Sequence, residues 1–348
     1  MRKFLLLLFL ILSSPLLFSQ IDMNFLKGEW IVYKKEMKDG STYFSQEVST
    51  TPREVYVFNK ASFFTKDYIK DADSSFPIPV KIVDQYIITN ESRYKVVEKL
   101  TESELIFIEV FAGKKENYLI RYYLKKYAVQ QKLDLAENIS KDTLSTTAVL
   151  SPLPKKNIFK DKANEYDANF KTKGYLLFDM ENKQVKSFFT DTKNISKQNR
   201  DKILSIFNSS FDFWNFNDVK KFKFIRMPFI IIGYQYSLPT ATYSHITPVY
   251  NVENYNEIIT YLNNEDIQDS DKYFKIASNC FENKNYECAL QNFNESSKKN
   301  KYNLDAHYNY ASICIALGKK DDACAKLTEL VSYGQKTAEE QYKLHCIK

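Results

Sequence analysis

Apolar and polar residues alternate in short runs from about Asn24 to Tyr127. The period of two predicts half-buried strands over Glu29–Lys35, Glu54–Phe58, Ser62–Lys66, Gln85–Thr89, Tyr94–Lys99, Leu105–Val110 and Tyr118–Lys125. Lys38-Asp39-Gly40 supplies an early turn. So many short strands within roughly 100 residues predict an antiparallel barrel or sandwich. Ala128 to about Asp167 breaks the pattern, with a short polar helix over Gln130–Lys141 and an exposed linker through Ser145-Thr146-Thr147 and Ser151–Lys156. From Lys171 to Tyr236 the pattern is mixed: a strand Gly174–Asp179, a turn at Glu181–Lys183, and a returning strand Gln184–Thr190. A helix then runs from an N-cap at Ser196 to Asn208 with Ile203, Leu204 and Phe207 on one face, and a strand begins at Lys221–Phe224 and continues through Met227–Ile232. From Asp269 to Lys348 the period is helical.

The helical stretch repeats itself after 34 residues: Ala277 aligns with Ala311, Cys280 with Cys314, Ala289 with Ala323, Phe293 with Leu327, Ile276 with Tyr310 and Tyr273 with His307. Small residues recur where paired helices would touch. This resembles tetratricopeptide repeats, with turns at Asn285-Tyr286 and Leu317-Gly318-Lys319 and a closing helix over Thr337–Cys346. Such repeats imply a concave groove for a peptide or protein, and Tyr273, His307 and Asn309 are the candidate groove residues. The ending Asp322-Ala323-Cys324 … Tyr333-Gly334 … Cys346 also resembles the tails of exported Bacteroidetes proteins, and that resemblance implies a Cys324–Cys346 disulfide holding the closing helix. Cys280 and Cys314 are expected as buried small apolar residues and Cys288 as the odd thiol. The cysteines lack the close pairs that zinc requires.

Leu26-Lys27-Gly28-Glu29-Trp30 resembles the opening of bacterial lipocalin-like domains. The resemblance implies that Trp30 sits at the closed end of a barrel under a basic residue of the last strand, for which Arg121 is the candidate. A hollow barrel would hold a small apolar ligand. The middle order of strand, turn, strand, helix, Trp214, strand and Met227-Pro228-Phe229 resembles the C-terminal domain of TonB and its relatives. That resemblance implies binding by addition of a partner strand to a sheet edge.

The chain thus divides into a leader (1–20), a lipocalin-like β domain (21–127), a linker (128–167), a TonB-like α+β domain (168–240), a connector (241–268) and tetratricopeptide-like repeats with a capping helix (269–348). Met1–Gln20 reads as a cleaved secretory signal: Arg2 and Lys3 precede an apolar run that is interrupted by Ser13-Ser14-Pro15 and is shorter than a membrane span requires. Export follows, to the periplasm, the outer membrane or the medium, with no membrane span in the mature chain and an oxidising environment for the cysteines.

The net charge is +6, and the loss of Arg2 and Lys3 lowers it further. Arg is scarce and Lys, Asn, Ile, Phe and Tyr abundant, a bias that explains the mild basicity without a nucleic-acid partner. With only 7 Gly and 3 His, phosphate-binding loops and multi-histidine metal sites are disfavoured. Gly-x-Ser-x-Gly and His-Glu-x-x-His do not occur, and Glu339-Glu340, Asp321-Asp322 and Glu102/Glu104 read as solvated charge. The expectation is a non-catalytic protein without a cofactor that binds a protein or peptide in the cell envelope. The alternatives are a carrier of a small apolar ligand in the barrel and a structural spacer.

Overall fold

A computed structural model describes residues 21–44, 54–66, 76–114, 116, 119–159, 169–238, 241–252 and 264–347. The expected signal segment lies outside the described residues.

A short helix α1 (Met23–Leu26) leads into strand β1 (Gly28–Met37). The strands β2 (Val55–Phe58), β3 (Ser62–Lys66), β4 (Ile78–Pro79), β5 (Lys81–Val83), β6 (Tyr86–Asn90), β7 (Arg93–Leu100), β8 (Glu104–Phe111) and β9 (Ile120–Lys126) follow. They pair antiparallel into one nine-stranded sheet, in the order β4-β3-β2-β1-β9-β8-β7-β6-β5. Its edge strands β4 and β5 are joined through the single residue Val80, whose N–H donates to the Ala61 carbonyl at 2.9 Å. The sheet is therefore curled into a nearly closed barrel, which protects both edges. Leu26, Trp30, Tyr56, Phe58, Phe63, Ile87, Leu105, Phe107, Tyr122 and Leu124 form its core.

The barrel interior also holds charge. Lys95 and Glu109 are direct cross-strand neighbours on β7 and β8, and their alternation with Val97 and Phe107 aims them inward. Lys95 is wholly buried, its Nζ 3.0 Å from Glu109 Oε1 and 4.3 Å from the centre of the Phe63 ring. Arg93 donates to the same carboxylate oxygen from Nε (3.1 Å) and Nη2 (2.9 Å), and the Tyr122 hydroxyl reaches Glu109 Oε2 at 3.3 Å. Burial pulls the Lys95 ammonium below its ordinary pKa, with Glu109 opposing that shift. Burial also pushes the Glu109 carboxyl up, but Lys95 and Arg93 more than offset this and hold it below the ordinary range.

Helix α2 (Tyr127–Asn138) packs on β1 and β9. The middle module contains β10 (Thr143–Ser145), β11 (Leu153–Pro154), β12 (Phe170–Asp179), β13 (Gln184–Asp191), α3 (Lys197–Asn208), β14 (Trp214–Asn215), β15 (Phe224–Leu238) and β16 (Ala241–Tyr250). Its sheet runs β10-β15-β12-β13, and β16 also pairs with β15. The Ser196 hydroxyl caps α3 by accepting from Asn199 N at 3.2 Å. Ile203 and Phe207 of α3 pack into a core with Leu176, Phe178, Trp214, Ile225 and Phe229.

Two stretches expected as connectors carry structure instead. In the linker, β10 runs parallel to β15, and Val149, Leu150 and Phe159 are buried because their apolar surface completes the middle core. In the connector, residues 241–250 form β16, paired along Phe229–Leu238 of β15. Pro228 stands inside β15, where β10 has ended and β16 has not begun, and its carbonyl accepts from Asn251 N at 2.8 Å. A residue without an N–H is tolerated there because that side of the strand has a gap.

Among the described residues, five further helices follow: α4 (Asn264–Glu282), α5 (Tyr286–Lys299), α6 (Leu304–Ala316), α7 (Lys320–Ser332) and α8 (Lys336–His345). The aligned alanines Ala277, Ala289, Ala311 and Ala323 are all buried, so consecutive helices approach closely. Asn285 caps α5 and Asn303 caps α6. The Asn303 amide also donates to the hydroxyls of Ser270 (3.2 Å) and Ser296 (3.1 Å), a buried polar knot linking α4, α5 and α6. Cys324 and Cys346 form a disulfide between α7 and the end of α8. A second disulfide joins Cys280 to Cys288, where sequence alone suggested an apolar residue and a free thiol. The antiparallel turn between α4 and α5 brings those Cα atoms within 5.8 Å, a bridging distance. Cys314 is the buried free thiol.

Glu109→Ala should destabilise the barrel by about 3–5 kcal/mol, because Lys95 would remain buried without its carboxylate. The double change Lys95→Met/Glu109→Leu should recover most of that loss. Urea unfolding followed by Trp30 fluorescence in a Trp214→Phe background measures both; a loss under about 1 kcal/mol for Glu109→Ala would show that the pair is not desolvated.

Candidate binding surfaces

The barrel meets the repeats through the turn that follows β1. Asp39 accepts from Ser41 N (2.8 Å) and Ser41 Oγ (3.0 Å), which folds the Asp39-Gly40-Ser41 turn back on itself. Gly40 takes φ +86°, a conformation that disfavours side chains. The turn presents Ser41 Oγ to the start of α8, where it accepts from Lys336 N at 2.8 Å. Gln335, the N-cap residue of α8, makes no capping bond of its own. Asp39 also accepts from the Thr337 hydroxyl at 3.3 Å. Thr42 N donates to the Gly334 carbonyl (3.1 Å), and Gln335 Nε2 donates to the Thr42 carbonyl (3.1 Å). The Phe44 ring lies 4.9 Å from Tyr302 and 6.4 Å from Tyr333.

Beside this contact lies a cleft of about 220 Å³, lined by Met37, Asp39 and Ser41 from the barrel and by Leu304, Tyr308, Asn309, Gln335 and others from the helices. Asn309 is exposed there, Tyr273 is half-buried on α4, and His307 is wholly buried. Neither ring nitrogen of His307 has a hydrogen-bond partner. Its Nδ1 stands 3.6 Å from Glu329, and its ring meets Tyr333 edge-on at 5.8 Å. Lys326 and Tyr333 both donate to Glu329 at 2.9 Å. These bonds outweigh burial and hold the Glu329 carboxyl below its ordinary range. Burial and the charge of Lys326 push His307 down to about 4. The sequence pattern places His307 on a groove; the structure buries it against Tyr333, one of the two rings that Phe44 approaches.

In the barrel core, Trp30 is buried and its Nε1 donates to the Leu26 carbonyl at 2.7 Å. The cation over its ring is Lys126, not Arg121: Lys126 Nζ lies 4.6 Å from the ring centroid and donates to the Lys27 carbonyl at 2.6 Å. The pairing of β1 with β9 sets Trp30 opposite Lys126 and Glu36 opposite Arg121. Arg121 accordingly binds Glu98 (2.7 Å) and Glu36 (3.2 Å).

In the middle sheet the outer side of β15 carries β10 and β16, and β13 is an end strand. The Asn208 side chain accepts from both Ser187 N (2.9 Å) and Ser187 Oγ (2.8 Å), which occupies one backbone donor of β13. Among the described residues no helix is long and apolar enough to cross a membrane.

Ser41, Thr42, Phe44, Tyr302 and Tyr333 carry no local sequence signal, because their contacts join the turn after β1 to residues beyond position 300. Lys95 was within reach: strand alternation puts it on the same face as Val97. Compared with protein-family models, curated proteins and solved structures, the chain matches none.

His307 contributes stability that is complete above about pH 6.5 and is lost as pH falls from 6.5 toward 4, because the folded state resists its protonation. His307→Phe should flatten that part of the stability profile, as measured by urea midpoints between pH 7 and 4. An unchanged slope would show that His307 is not the group that titrates.

Proposed function

We propose that this chain is a non-catalytic, exported protein of the cell envelope that binds a protein or peptide partner through its C-terminal helices. We read α4–α7 as two tetratricopeptide-type repeats and α8 as their cap. The 34-residue spacing of the aligned buried alanines and the equivalent positions of α5 and α7 support this. The observation that carries the reading is the cleft at Asn309, open on the helices and rimmed by barrel residues. Two disulfides within the helical region fit an oxidising compartment. A strand edge of the TonB-like kind adds a second contact, at β13 beside the Ser187–Asn208 bond.

A second reading makes the lipocalin-like barrel a carrier of a small apolar ligand. The nearly closed sheet and the Lys126 cation over Trp30 support a lipocalin-like assignment. Against a large interior space stand Trp30, Phe58, Phe107, Ile87 and Leu105, all turned inward and nearly without solvent exposure.

The test is affinity capture with cross-linking from the native cell envelope, using the full-length tagged chain and its Asn309→Arg and Tyr273→Arg variants. A partner recovered at least tenfold less with either variant supports binding through the helices. Equal recovery with all three chains removes the helices from the reading. Extra mass on the native chain with no protein partner would favour the carrier.

A further inference from the structure

We propose that Asp39–Phe44 is an internal ligand of the helical repeats, and that a partner binds by displacing it with an extended segment of the same chemistry. The inference rests on the reading of the helices as a peptide-binding module and names the partner class: a peptide with a hydroxyl or carboxylate residue for the start of α8, followed by an aromatic side chain.

The contact has the anatomy of peptide recognition. Thr42, just past the turn and bridged back to Glu36 of β1, exchanges two backbone-directed hydrogen bonds with the receptor, Thr42 N to Gly334 O and Gln335 Nε2 to Thr42 O. One side chain, Ser41, supplies a helix cap that α8 otherwise lacks. Another, Phe44, anchors on the Tyr302 and Tyr333 rings. The receptor side is shaped for close approach: Gly334 has φ +73°, and a Cβ there would lie 2.4 Å from the Thr42 hydroxyl. The segment also borders the cleft at Asn309, so an occupant of the cleft meets the internal ligand directly. The contacts belong to short polar side chains and one aromatic ring, which a peptide from another chain can reproduce.

Tethering sets the strength of the competition. A segment held on the same chain acts at an effective concentration of order millimolar. A free peptide that binds the vacant surface with a Kd near 100 μM would then bind the intact chain roughly tenfold more weakly.

The probe is a fluorescent peptide of the sequence Lys-Asp-Gly-Ser-Thr-Tyr-Phe, titrated by anisotropy into the full chain and into a Ser41→Ala/Thr42→Ala/Phe44→Ala variant. The expected result is at least tenfold tighter binding to the variant, lost again when Gly334→Val is added. Equal binding to both chains, or binding to neither, overturns the proposal. Hydrogen exchange on the wild-type chain gives a readout that does not depend on the variant folding: saturating peptide should accelerate exchange at the Thr42 amide, and no change overturns the displacement. The two levels separate cleanly. A cellular partner captured equally by wild type and the loop variant leaves the binding reading standing and removes the internal ligand. Peptide displacement without any cellular partner does the reverse.

Discussion

Strand β1 is the element on which all three modules depend. Successive side chains of a strand point to opposite faces, and in β1 both faces are buried at the same place. Trp30 enters the barrel core, while Ile31, its neighbour, enters the core of the middle module. The partner strand repeats the division, with Tyr56 opposite Trp30 facing in and Val55 opposite Ile31 facing out. At its far end the same strand turns at Asp39-Gly40 and caps the last helix of the repeats. The middle core is therefore continuous with the barrel wall. Loss of Ile31 or Val55 would be felt in two modules, because apolar burial there is shared.

The barrel adds a constraint of a different kind. An inward Lys95–Glu109 pair costs desolvation free energy that its own attraction only offsets when hydrogen bonds complete the carboxylate. Arg93 and Tyr122 supply those bonds. The pair contributes little net stability, but it contributes to register. A slip of β7 by one residue against β8 would turn Lys95 outward and leave Glu109 inside the barrel without its partner. With aromatic rings elsewhere in the interior, which are tolerant of repacking, a charged pair is the group least able to accept a wrong neighbour.

Legibility in the sequence followed the range of the interactions. Seven of the nine barrel strands, α3 with its Ser196 cap, and the helices were readable because period and capping are local, whereas the short edge strands β4 and β5 were not among the expected strands. The aligned alanines were readable because close helix packing admits few residue types. What escaped depended on pairing between distant segments. Val149 and Leu150 sit among turn residues, so the run looked exposed until β10 found β15. Lys126 and Arg121 are both basic and both on β9; only the register with β1 decides which lies over Trp30. The Cys280–Cys288 bridge was hidden by the repeat itself, since the alignment of Cys280 with Cys314 suggested one shared packing role for both.

The short helix α8 is where these long-range contacts converge. It has only ten residues, buries little beyond Ala338, and lacks a side-chain cap from its own sequence. A helix of that length is marginal without outside help. Its C-terminal end is tied to α7 by Cys324–Cys346, and its N-terminal end is tied to the barrel by Ser41, Asp39 and Thr42. The disulfide keeps α8 near the repeats whatever the barrel does, so loss of the barrel contact frays one end rather than releasing the helix. Any ligand that binds more tightly when that end is ordered must strengthen the barrel contact, and one that takes the place of Ser41 must weaken it. By linkage the two effects are reciprocal. The physical state of the barrel–repeat junction is thus set by a few hydrogen bonds at one end of α8.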